Sequence, residues 1–199
     1  MAIRNPKSEI PDMFTNRFQA EQGRLLVSEP FLPDPVFHRS VILLTKCDES
    51  GAVGFILNKP VNFTLADALS GITGFNTSVF FGGPVSPDAL FFMHRLGEKI
   101  SGSVPVIEGL YWGGEFQDLK KLFENRLVTA ADIKFFVGYA GWSPGQLEKE
   151  MKKKSWIVSP ARPLDILTEK PERLWGAALK NMGSEFSYLA NYPDNPSLN

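Results

Sequence analysis

Gly138-Tyr139-Ala140-Gly141-Trp142-Ser143-Pro144-Gly145-Gln146-Leu147-Glu148 is the stretch on which the reading of this chain turns. The residues before it, Ile133 to Val137, are rich in strand formers. The glycines then predict a tight turn, and a helix follows. Ser143 stands as its N-cap, Pro144 as its first residue, and Gln146, three after the serine, completes a capping box. Such a junction can hold an anion, present a nucleophile or pack a helix against a strand. The bulky Tyr139 and Trp142 favour packing.

Towards the N-terminus, strand signals dominate. Gly23 to Ser28 reads as a first strand, and Pro30, Pro33 and Pro35 then force an extended loop. Val41 to Thr45 is a continuous apolar strand, Asp48-Glu49-Ser50-Gly51 a turn, and Ala52 to Leu57 the returning strand. Neither strand alternates cleanly, so both faces are expected to be covered. Thr64 caps a short helix stopped by Gly71 and Gly74. Val79 to Phe81 is a strand ending in Gly82-Gly83-Pro84-Val85; Ser86-Pro87-Asp88 turns the chain into another, Ala89 to His94. Val104 to Ile107 and Leu110 to Trp112 form a further hairpin, and Ser155 to Val158 a last strand. Two helices have clear apolar faces, Glu115 to Glu124 and Glu172 to Met182. Residues 1–22 form a polar arm, with Met13, Phe14 and Phe18 as a short apolar face that docks on the domain or a partner, or stays loose. Residues 23–190 form one domain, and 191–199 a flexible tail.

The totals agree with one globular domain: 199 residues, 43% hydrophobic and 22% charged. The formal net charge of -1 argues against a protein held on nucleic acid or anionic lipid by bulk charge. Cys47 is the single cysteine, which excludes an intrachain disulfide and fits a reducing cytoplasm. Residues 1–7 lack the apolar core of a secretory signal, and no apolar run approaches the roughly 20 residues of a membrane span. The expectation is a soluble, cytoplasmic protein.

The residues that could carry chemistry each have a plainer use. Gly141-Trp142-Ser143-Pro144-Gly145 matches G-x-S-x-G, but Pro144 has no N–H to give an oxyanion, and His38 and His94 both precede the serine. The helix start could attract an anion, yet neither GK[ST] nor G-x-G-x-x-G is present. Gly82 and Gly83 could open a gap for a ligand, or let another backbone approach closely. Arg39, in Asp34-Pro35-Val36-Phe37-His38-Arg39-Ser40, could clamp a carboxylate or phosphate, or tie its loop to carbonyls or to Asp34. His38, His94 and Cys47 have no metal-ligand spacing, and Cys47 beside Lys46 is either an inert thiol or a redox sensor. Lys149, Lys152, Lys153 and Lys154 could meet nucleic acid; they also sit where a helix dipole favours cations.

Taken together, these segments resemble the AlgH/YqgE family of small bacterial proteins. The matching pieces are Gly23-Arg24-Leu25-Leu26, Asp34-Pro35 with Phe37 and Arg39-Ser40-Val41, and Gly51-Ala52-Val53-Gly54 leading to Leu57-Asn58-Lys59-Pro60. Then come Gly82-Gly83-Pro84-Val85, Gly138-Tyr139-Ala140-Gly141-Trp142 and Gly145-Gln146-Leu147-Glu148. The resemblance implies a single α+β domain with a mixed, partly barrel-like β-sheet surrounded by helices. It implies no particular reaction, cofactor or metal; one namesake is associated with transcriptional control of alginate production. It marks Arg39, Asn58, Gly82, Gly83, Gly138, Tyr139, Trp142 and Gln146 as a candidate binding surface and assigns none of them a catalytic role. The expected function is a non-catalytic, regulatory protein that binds a small molecule or a protein partner. A hydrolase with an unfamiliar site and a direct nucleic-acid binder are the alternatives.

Overall fold

The computed structural model describes residues 16–69 and 75–191. The expectations for Met13, Phe14, Gly71, Gly74 and the tail after Asn191 lie outside them. The first three strands, β1 (Arg24–Ser28), β2 (Val41–Asp48) and β3 (Gly51–Ile56), pair antiparallel in sequence order. In β2, Val41 and Leu43 enter one hydrophobic cluster and Ile42 and Leu44 another. Both faces are covered, which is why the strand reads as an unbroken apolar run.

Next come β4 (Pro60–Thr64), α1 (Leu65–Ala68) and β5 (Ser78–Phe81). The backbone N–H and hydroxyl of Thr64 both donate to Asp67 Oδ2 at 2.8 Å, fixing the start of α1. The chain continues through β6 (Val85–His94), β7 (Val104–Ile107), β8 (Leu110–Trp112) and α2 (Phe116–Glu124). Then follow β9 (Ile133–Trp142), α3 (Gln146–Lys152), β10 (Trp156–Pro160), α4 (Pro163–Thr168), α5 (Pro171–Asn181) and α6 (Ser184–Ser187).

The fold is a single α+β domain. Its sheet runs β10-β1-β2-β3-β9-β6-β8-β7, with β5 joined parallel to β9 and antiparallel to β4. The sheet is therefore mixed, and it curls without closing. The Gln22 side chain, just before β1, donates to the Pro105 carbonyl of β7 at 3.0 Å. Inside the curl, residues from β1, β2, β8 and β9 pack on α4, α5 and α6. Leu147 of α3 covers the outer face of β1–β3, and α1 and α2 cover the far face of β5, β6 and β9. Residues 16–22 dock on the domain. The Asn16 amide donates to the Trp156 carbonyl at 3.1 Å and accepts from the Val158 N–H at 2.7 Å, covering the outer edge of β10.

Three expectations are corrected. Gly138 does not end its strand: at φ +69 it kinks β9, which runs on to Trp142 and pairs Ala52 with Trp142. Helix α3 begins at Gln146 with Gly145 as N-cap at φ +72, so neither Ser143 nor Pro144 opens it. Ser86-Pro87-Asp88 is a bulge inside β6, where the register with β9 shifts between Val85 and Leu90. Helix α4 was not expected at all; its six residues are too few to display a period.

The kink in β9 depends on glycine. The Gly82 N–H donates to the Val137 carbonyl at 2.8 Å, while the Gly82 carbonyl accepts from the Ile56 N–H at 2.9 Å. A Cβ on Gly82 would stand 2.2 Å from the Gly138 carbonyl oxygen, and one on Gly138 would stand 2.3 Å from that of Gly83. Replacing Gly138 by Ala should cost at least about 2 kcal/mol, because a left-handed residue and a backbone clash coincide. Gly109→Ala, at φ +75 with nothing within 4 Å, should cost only about 1 kcal/mol. Urea unfolding of the two variants measures the difference.

Candidate functional site

The sequence-derived surface residues fall into three groups. In the first, the Asn58 side chain buckles two loops. Its Nδ2 donates to the Arg39 carbonyl at 2.8 Å, and its Oδ1 accepts from the Val41 N–H at 2.9 Å. Arg39 has φ +48, and its guanidinium lies 4.7 Å from the Trp175 ring of α5. The Trp175 indole donates to the Ser28 carbonyl at 3.0 Å, so β1, β2 and α5 are fastened at one place. Asp34 serves its own turn, accepting from the Val36 N–H at 2.8 Å.

The second group is Trp142 and Gln146, and it centres on a residue that sequence reading missed. Glu150 Oε2 accepts the indole N–H of Trp142 at 2.9 Å and that of Trp156 at 2.8 Å. Its Oε1 accepts from the Gln146 amide at 3.0 Å, and Gln146 accepts the Ser143 N–H at 3.1 Å. Phe37 stacks near Trp142 and meets Trp156 edge-on. A signal was present: Glu150 stands four after Gln146 on one helix face.

The third group, Gly82, Gly83 and Gly138, is the backbone crossing already described. Tyr139 follows it, half-buried, with its ring edge-on to Phe91 at 5.8 Å.

The candidate bases are held by backbone groups, His38 with Nδ1 3.2 Å from the Leu32 carbonyl. His94 is fully buried: Nδ1 accepts the Leu96 N–H at 3.2 Å, and Nε2 faces the Gly113 carbonyl at 3.1 Å. That arrangement requires the neutral Nε2–H tautomer. Burial pushes its pKa down, opposed by the bond to Gly113. His94 pairs with Ile133 at the start of β9. Ser143 follows the far end of that strand, roughly 30 Å away in extended chain. Burial, then the carboxylates of Glu148, Asp48 and Glu21, push the Cys47 thiol up, which opposes an activated thiolate. Lys149 and Lys152 occupy the last turn of α3, the negative end of its dipole. Among the described residues no His/Cys/Asp/Glu cluster could hold a metal ion.

Lys134 is a second missed residue, the one charge inside Ile133 to Val137. It is only 4% exposed, donates to the Ile166 carbonyl of α4 at 3.1 Å and lies 4.1 Å from the Phe80 ring centre. It thereby satisfies a carbonyl in the last turn of a short helix. Burial lowers its pKa to about 8.

A cavity of about 270 Å³ opens between β1, β10, α4 and α5. Leu25, Ile166, Leu174, Ala178 and the buried Ser159 make its floor; Arg162, Asp165, Glu169 and Asn181 stand round its mouth. No sequence motif marked these residues, which come together only through the pairing of β1 with β10 and the docking of α5.

The AlgH-like family model matches residues 25–187. A UPF0301 protein of Chlorobaculum tepidum is 40% identical over 186 residues, covering 93% of this chain and all of its own. Another, of Cytophaga hutchinsonii, is 41% identical over 179 residues, covering 89% and 98%. The solution structure of the AlgH protein from Pseudomonas aeruginosa is similar, with a TM-score of 0.69 at 26% identity, over 90% of this chain and 98% of that one. A Corynebacterium diphtheriae protein shares the fold at a TM-score of 0.76 and 20% identity, over 89% and 95%.

Two outcomes follow from this geometry. Glu150→Ala strands two buried indole N–H groups and should cost about 3 kcal/mol, with a changed near-ultraviolet dichroism of Trp142 and Trp156. For Lys134 the folded-state pKa lies below the unfolded value of about 10.4, so the unfolded chain binds more protons between the two. Stability should therefore rise as pH climbs from about 8 towards 10.4. Lys134→Met should lose that slope, as read from urea midpoints across the window.

Proposed function

Since this chain belongs to the AlgH-like family, we propose that it is a non-catalytic binding protein with a regulatory role in the cytoplasm. Its small-molecule site in this reading is the cavity between β1, β10, α4 and α5. The observation that carries it is the make-up of that cavity: an apolar floor, a few converging polar groups and a volume of about 270 Å³, suited to a small metabolite. Of the candidate surface, Arg39, Asn58, Tyr139 and Gln146 are the members a protein partner can reach, apart from the cavity, while the buried Gly82, Gly83, Gly138 and Trp142 hold the fold beneath them.

The hydrolase alternative has less support. The Ser143 N–H is given to Gln146, Pro144 has no N–H, and both ring nitrogens of His94 face groups of its own neighbourhood. Direct nucleic-acid binding has only the lysines at the end of α3, in a chain of net charge -1.

A fluorophosphonate probe should leave Ser143 unlabelled; stoichiometric labelling of the folded protein would overturn the non-catalytic reading. A metabolite screen should give at least one ligand that, at about a hundred times its Kd, raises the melting temperature by several degrees. That ligand should shift the amide resonances of Leu25, Ser159 and Ala178. Hits that move other residues instead would refute the cavity as the site.

A further inference from the structure

We propose that this cavity takes a small zwitterion with an aliphatic body, of the type of a branched-chain amino acid; the inference rests on the binding reading above. Three features of the cavity lead there. The floor of Leu25, Ile166, Leu174 and Ala178 is aliphatic and almost wholly removed from solvent. The cavity's volume, about 270 Å³, is that of a small-metabolite site rather than of a site for a single ion or water.

The mouth carries charge of both signs that is not internally paired. Pairs such as Arg24–Glu21 and Arg95–Asp132 form elsewhere, but among the described residues no ion pair includes Arg162, Asp165 or Glu169. Arg162 and Asp165 thus line one cavity with no contact within the 4.0 Å of an ion pair. Glu169 accepts the Lys170 N–H on Oε1 at 3.0 Å, which leaves Oε2 for a further donor. At the floor, the Ser159 hydroxyl has a single long bond, 3.3 Å, to the adjacent Pro160 carbonyl.

These charges select against simpler ligands. A bare anion would satisfy Arg162 and meet two carboxylates. A bare cation would satisfy those carboxylates and meet Arg162. A molecule with both groups satisfies all three: its carboxylate takes the guanidinium fork, and its ammonium lies between Asp165 and Glu169. Its aliphatic chain then points to the floor, where burial of apolar surface supplies the attraction.

The test uses the full chain with L-leucine, isopentylamine, which lacks the carboxylate, and 4-methylpentanoate, which lacks the ammonium. Titration calorimetry is read beside the amide resonances of Ser159, Ala177 and Ala178. Leucine should bind, and each analogue should bind at least about tenfold more weakly. Arg162→Gln should weaken leucine towards the level of the amine without weakening the amine; Asp165→Asn should do the converse with the acid. Ala177→Leu, at a half-buried position, should abolish binding without lowering the melting temperature. Should that variant unfold, Arg162→Gln, on an exposed residue, carries the test alone.

Equal affinity for leucine and isopentylamine would overturn the proposal. So would failure of leucine at millimolar concentration while another screened compound moves those three resonances, an outcome that leaves the binding reading standing. If no compound moves them, both fall.

Discussion

Strand β9 has two edges and is asked to serve three partners, and the rest of the fold depends on how that conflict is resolved. One edge takes β6 along most of the strand. The other takes β5 as far as Val137 and β3 from Ala140 onward. At the handover the chain leaving β5 must cross between β3 and β9. Gly82 makes that crossing, bonded to Val137 on one side and to Ile56 on the other. Gly138 turns β9 at the same point with φ +69. A side chain at either position would enter a neighbouring backbone. Steric exclusion, rather than any attraction, therefore allows a parallel pair and an antiparallel pair to share one edge.

Around that crossing, buried and half-buried polar groups decide where the layers sit. Asn58 fixes the loop before β2, Glu150 gathers two indoles and an amide, and Lys134 reaches a carbonyl of α4. Each joins elements that hydrophobic burial alone would leave free to slide, because an unpaired buried donor costs more than a paired one contributes. Their positions also explain why the candidate surface residues are dispersed. Arg39 and Asn58 fasten β1 and β2 to α5, and Trp142 and Gln146 fasten α3 to the outer core.

Much of this was legible in the sequence, and the reason differs by element. The hairpin of β2 and β3 and the helices α2 and α5 could be read because apolar runs, turn residues and helical spacing are local signals. The resemblance through Gly82-Gly83-Pro84-Val85 and Gly138-Tyr139-Ala140-Gly141-Trp142 led to the α+β fold and to the family. The strand extension past Gly138 was not legible, since a glycine that ends a strand and one that kinks it look alike until a partner is known. Glu150 and Lys134 belong to no motif, although Glu150 stands four after Gln146 and Lys134 is the one charge in an apolar strand. The cavity had no local signal. Leu25, Ser159 and Ala178 are far apart in the chain and meet only through tertiary packing.

That difference bears on where a ligand can be held. Residues that close a backbone crossing or satisfy a buried donor have their geometry committed to the fold, and a ligand contacting them would compete with those bonds. Helices α4 and α5 are under no such demand on the side facing β10. Small residues, Ala177 and Ala178, stand opposite a β-strand and leave volume, while Arg162 and Asp165 keep their charges without mutual contact. Asp165 favours the positive end of α4 and Glu169 accepts the Lys170 N–H, but neither use brings the Arg162 charge to the same aliphatic hollow. Recognition of a third body, as proposed above, would give a reason for that charge, and it would place the binding chemistry in the part of the chain that carries no motif.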